Sequence, residues 1–259
     1  MNLPVITPEQ IACLIFIFLR VSSMIVVMPI FGGDKTIPVG IKGGLSLLIT
    51  FLLFPFVRMD FGFQLMGLTP MVVIMIGEIL IGVIIGFVAR FIFAGIQFAG
   101  ELIGFQMGFS VVNIIDPVTS TQVSLISQLK YFLAMLVFLA VNAHHIFLSA
   151  MAESFVRISP MQFHLTERVI APLCLLSMEV FIIAVKISAP VVAVLIFTHV
   201  ALGVVARTVP QINIFIVGFP LQIALGLIFL GLSAPIFVNY CIRLFNGLAK
   251  QIHMLVLLM

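Results

Sequence analysis

From Pro70 to Phe109 the chain runs for about 40 residues with charge only at Glu78, Arg90 and Glu101. The hydrocarbon core of a bilayer takes up about 20 helical residues. A run twice that long must be kinked, be split, or extend beyond lipid. No soluble domain shelters so much apolar chain: 63% of the 259 residues are hydrophobic and 8% are charged, against about a quarter charged in soluble domains. The sequence predicts an all-α integral membrane protein with long kinked helices, and its length allows roughly five to seven spans.

The remaining apolar runs are Ile11–Phe31, Ile41–Val57, Val123–Val141, Val169–Val205 and Ile214–Phe245. Val169–Val205 is again too long for one span, with Pro172 and Pro190 as expected kinks, and Pro220 and Pro235 punctuate the last run. An up-and-down count gives six spans. It sets the first loop, with Lys35 and Lys42, on the same side as the Ala206–Asn213 turn with Arg207, and their basic residues make that side cytoplasmic. Met1–Gln10 carries only Glu9, so the positive opening of a cleaved signal peptide is missing. The net charge of +3 comes from dispersed residues, which excludes a nucleic-acid surface built on a basic block.

Glycines punctuate the long run. Gly82-x-x-x-Gly86 and then Gly100, Gly104 and Gly108 recur at helical spacing, so the last three share one face open to close approach by a neighbouring backbone. Gly40-x-x-x-Gly44 repeats the pattern before the second run. Phe109–Ile115 then interposes an apolar stretch. Asp116 suits a helix N-cap and Pro117 a first helical position.

Arg20, Glu78, Arg90, Glu101, Lys130, Glu179 and Lys186 lie within or beside apolar runs and must face protein or water. Glu179 and Lys186 share a helix face two turns apart, too far for a simple pair. Three readings of these charges stand: an ion or proton relay, pairing with neighbouring subunits, and a helix end that never enters lipid. His144 and His145, being adjacent, are expected to diverge and lack a nearby acid, so they make no metal site. Cys13, Cys174 and Cys241 read as buried small hydrophobes rather than a disulfide framework. No phosphate loop, nucleophile elbow or zinc motif is present, and neither an enzyme nor a cofactor is expected. An export or channel subunit, a proton-coupled secondary transporter and a membrane scaffold remain.

Two blocks decide among these. ELIGFQMGFSVVNIIDP (Glu101–Pro117) and ARTVPQINIFIVGFPLQI (Ala206–Ile223) resemble signature regions of the FliR family of flagellar export-gate proteins, related to the SctT subunits of injectisomes. NAHH (Asn142–His145) and RVSSMIVVMPIFGGDKTIP (Arg20–Pro38) are similar to further family segments, and the resemblance covers nearly the whole chain. It implies a FliP-like helical part over 1–165 and a FliQ-like helix hairpin over 166–259. It implies a pore for unfolded flagellar proteins, built with FliP-type and FliQ-type subunits in the bacterial inner membrane at the flagellar basal body and projecting to the periplasmic side. An FlhB-type subunit is implied on the cytoplasmic side.

Gly108, Phe109, Ser110, Val111, Val112, Asn113, Ile114, Ile115, Asp116 and Pro117 correspond to the family's plug loop, with Gly100 and Gly104 packing the helix before it. Arg207, Pro210, Gln211 and Asn213 form the hairpin tip, and Glu101, Lys130, Glu179 and Lys186 become buried interface charges. The match looks closer to the flagellar branch than to the injectisome branch.

Overall fold

The computed structural model describes residues 7–30, 37–57, 68–109, 124–158, 166–209, 211 and 214–259. Among them are α1 (Pro8–Val27), α2 (Val39–Leu53), α3 (Leu68–Gln106), α4 (Leu125–Ala140), α5 (Ala143–Arg157), α6 (Glu167–Thr208), α7 (Ile214–Leu232) and α8 (Ala234–Leu258). The expected all-α fold is therefore present.

The start of α1 is written locally. Thr7 accepts from the Gln10 amide at 3.4 Å, and the Gln10 side chain accepts from the Thr7 amide at 3.1 Å. Pro8 occupies the first helical position, where its missing N–H costs nothing.

At 39 and 42 residues, α3 and α6 are single helices, each about 60 Å long at 1.5 Å per residue. Neither divides into two spans, and α6 runs through Pro172 and Pro190. The fourth run is α4, which ends at Ala140, and the chain bends directly after it. There α4 and α5 meet at 65°, across Asn142 in the left-handed conformation at φ 56°. Asn tolerates that region better than most side chains. The sixth run is two helices rather than one. α7 retains Pro220 and ends at Leu232, and α8 restarts just before Pro235 and extends past Phe245 to Leu258.

The six-span count is corrected accordingly. Among the described residues, α1, α3, α6 and α8 are long and apolar enough to cross a membrane, and the bent α4–α5 pair makes five. α2 and α7 are shorter apolar helices.

The chain separates into two compact units, each assembled from non-contiguous stretches. One holds Met1–Arg90, Asn142–Leu176 and Gly247–Met259; the other holds Phe91–Val141 and Ser177–Asn246. In the first, α1 packs on α2 and buries Ala12 and Phe16 with Ile74 of α3. Gly82 and Gly86 lie so close to α1 that a Cβ on Gly82 would collide with Ser23 and the Arg20 carbonyl. Gly40 and Gly44 of α2, by contrast, have nothing within 4 Å of where a Cβ would sit.

In the second unit Phe93 is ringed by Tyr131, Phe138 and Phe245, at centroid distances of 5.4, 5.8 and 5.6 Å. Such aromatic pairs add about 0.5–1.5 kcal/mol each beyond the area they bury. A second cluster joins Ile103 of α3 and Met107 just past its end, Ile126 of α4, Val191 and Leu195 of α6, and Leu230 of α7.

Candidate functional site

The three glycines near the end of α3 each meet something different. A Cβ on Gly100 would strike the backbone of Ser127 in α4, and the Ser127 hydroxyl donates to the Gln97 carbonyl at 2.9 Å. Gly104 lies against the Ser124 side chain, just before α4 begins. Gly108 ends the helix. Its amide donates to the Phe105 carbonyl at 3.1 Å, and the Phe109 amide reaches back to the Gly104 carbonyl at 3.1 Å. With φ +86° at Gly108, this is the Schellman arrangement that glycine permits at a helix C-terminus. Helix α3 thus stops by design of its own sequence, just before the stretch that follows Phe109.

Of the plug-loop residues named from the sequence, Gly108 and Phe109 are described, both partly buried. Ser110, Val111, Val112, Asn113, Ile114, Ile115, Asp116 and Pro117 lie outside the described residues, including the Asp116 cap and the Pro117 helix start. Arg207 is exposed in the last turn of α6, Gln211 is exposed beyond it, and Pro210 and Asn213 lie outside the described residues.

The four charges assigned to interfaces are not alike. Lys130 is buried, its ammonium 4.1 Å from the centroid of the Phe237 ring. Glu179 is partly buried, whereas Glu101 and Lys186 are exposed on the chain itself. The adjacent His144 and His145 do not diverge as expected: their ring centroids are 4.3 Å apart, since the rotamers bring the two rings together.

Two groupings of charge escaped the sequence. Arg20 of α1 and Glu78 of α3 are fully buried and joined twice, Nε to Oε2 at 2.5 Å and Nη2 to Oε1 at 2.9 Å. Nη1 donates to the Ser154 hydroxyl at 3.1 Å, and the guanidinium lies 4.1 Å from the Phe155 ring centroid. Gly82 is one turn from Glu78 on α3, and Ser23 is nearly one turn from Arg20 on α1, so the contact of Gly82 with Ser23 sets the two charges face to face. The other grouping is Glu153 with Arg157 at 2.6 Å and with His253 at 3.1 Å. It ties α5 to the last turns of α8 across 100 residues, with no local pattern to reveal it.

Among the described residues, four to five helices of membrane-crossing length and apolarity, a charge pair hidden among them and a glycine-set stop in the longest apolar run define a polytopic membrane protein. Residues 11–248 match the family described as bacterial export proteins, family 1. The chain is 38% identical over 225 residues to the flagellar biosynthetic protein FliR of Bacillus subtilis (strain 168), covering 83% of each. It is 31% identical over 231 residues to that of Pectobacterium carotovorum subsp. carotovorum, covering 88% of this chain and 87% of the relative. To that of Escherichia coli (strain K12) it is 29% identical over 232 residues, covering 88% and 86%. The chain belongs to the FliR family of bacterial export proteins.

Proposed function

We propose that this protein is a subunit of the flagellar export gate. With FliP-type and FliQ-type subunits it forms the pore for unfolded flagellar proteins, and Gly108–Pro117 closes that pore at rest. The names of its relatives, flagellar throughout the three above, favour this over injectisome use. The observation that carries the closing role is the programmed end of α3. Gly100 and Gly104 seat the helix tightly on the start of α4, and Gly108 turns the chain out of it directly into Phe109, Val111, Val112, Ile114 and Ile115. A constriction lined by such residues excludes water and ions while leaving room for a chain that pushes it aside. Irregular backbone at that depth is tolerated where protein or a cavity surrounds it.

On this reading 1–165 is the FliP-like part and 166–259 the FliQ-like hairpin. The tip around Arg207–Asn213 faces an FlhB-type subunit on the cytoplasmic side. The assembly belongs to the inner membrane at the flagellar basal body and projects to the periplasmic side. Glu101, Glu179 and Lys186 then serve subunit contacts or the lumen, where charge is not opposed by lipid, whereas Lys130, expected at an interface, is buried within the chain against Phe237. The test is leakage. Deleting Gly108–Pro117 from the assembled complex is expected to let small solutes through a membrane that is otherwise tight. A deletion complex as tight as its parent would reject the closing role.

A further inference from the structure

The block Ala206–Ile223 extends ten residues past the hairpin tip, and its second half falls on α7. On that helix Phe219, Gln222, Ile223, Gly226 and Leu230 recur at helical spacing and form one face. Two fitted contacts set this face on the end of α3. The Phe219 ring fills the space where Gly108 lacks a side chain: a Cβ there would stand 2.8 Å from Cδ1 and 3.1 Å from Cε1. In return Gly226 makes room for Met107, whose Cγ, Cε and Sδ lie 2.6, 2.7 and 2.8 Å from the place of a Cβ on Gly226. Each helix thus supplies a glycine to receive a large side chain of the other. Gln222 is buried between the two contacts, and Ile223 and Leu230 continue the seam into the apolar cluster with Met107.

We propose that this face of α7 is a catch on the last turn of α3, and that Phe219 is the residue that positions Met107–Phe109. The proposal rests on the closing role given above to Gly108–Pro117. Because Phe109 leads directly into that stretch, the setting of the α3 end fixes where the closure starts. Seated, α7 holds it in place, and displacing α7 releases it. Both contacts are apolar apart from Gln222, so the catch opens without stranding a buried charge, and its strength scales with the bulk at position 219.

The experiment uses the chain assembled with its FliP-type and FliQ-type partners and compares three variants. With the loop deletion as the reference for an open pore, Phe219→Ala is expected to raise small-solute leakage several-fold, and Phe219→Leu to bring it back toward the parent. The third variant, Met107→Cys with Gly226→Cys, is made in a chain whose Cys13, Cys174 and Cys241 are replaced by Ala. The 2.6 Å approach of the Met107 Cγ to the Gly226 Cβ position places the two Cβ atoms within disulfide range. Once oxidised, this lock is expected to stop export of flagellar subunits, and reduction to restore it.

If the loop deletion leaks while Phe219→Ala stays tight, or if the oxidised lock exports as the reduced form does, the catch is overturned and the closing role survives. If the deletion itself does not leak, the closing role and the catch fall together. Should Phe219→Ala fail to assemble, Phe219→Leu and the reversible lock still decide.

Discussion

At the scale of single residues the Arg20–Glu78 pair is the strongest commitment the chain makes. Two ions have been taken out of contact with solvent, and their attraction offsets that cost only because the geometry is bidentate and the remaining guanidinium donors are used. Nη1 meets Ser154 and Nη2 also approaches the Ile158 carbonyl at 3.4 Å. Removing one partner leaves the other charge buried and uncompensated, at a cost of about 3–5 kcal/mol. Glu78→Gln should therefore lower the thermal midpoint of the assembled complex sharply. The double variant Arg20→Leu with Glu78→Leu, which replaces charge by apolar bulk, should lie much nearer the parent. Equal midpoints for Glu78→Gln and the parent would show that the pair is not stabilising. The sequence marked both residues as charges that lipid does not tolerate. It did not mark them as partners, because 58 residues and the helix α2 separate them and only the register of α1 on α3 brings them together.

At the scale of elements, spacing was the dependable signal and identity of the neighbour was not. Gly100, Gly104 and Gly108 were legible as one small-residue face. Nothing local announced that the first would meet the Ser127 backbone, the second Ser124 and the third a phenyl ring from α7. Prolines were read alike and behave differently. Pro172 and Pro190 lie inside an unbroken α6, and Pro220 inside α7. At Pro235 a new helix starts, since proline fits the first turn of a helix and disrupts one already under way. At the far end of α6, Arg207 stands exposed in the last turn, where a cation complements the helix dipole. If the tip also meets the FlhB-type subunit, Arg207→Glu should reduce both its co-purification and motility. Normal values for the two would reject a role for this charge in partner contact.

At the scale of the whole molecule, composition alone was enough to assign the chain to a membrane, and hydropathy was not enough to count its spans. Among the described residues the six apolar runs become four or five crossing helices, because the second falls short, the fourth leads into a 65° bend and the sixth divides into a short α7 and a crossing α8. The exposed charges of α3 and α6, Arg90, Glu101 and Lys186, sit on helices too apolar for water and too charged for lipid, so the proposed assembly gives them a protein environment. Co-expression with FliP-type and FliQ-type subunits should yield one hetero-oligomer of defined mass, and the isolated chain should be inert in vesicles. Solute uptake by the chain alone would instead support a proton-coupled transporter.

The two compact units also carry a consequence for synthesis. The unit begun by Met1–Arg90 is completed by Gly247–Met259, the stretch that includes His253 and its contact with Glu153. A ribosome delivers these residues after the whole of the second unit. The helices of Met1–Arg90 therefore stand without that contribution until Gly247–Met259 has been made. A gene cut at any single point between Phe91 and Asn246 would leave that unit divided between two products.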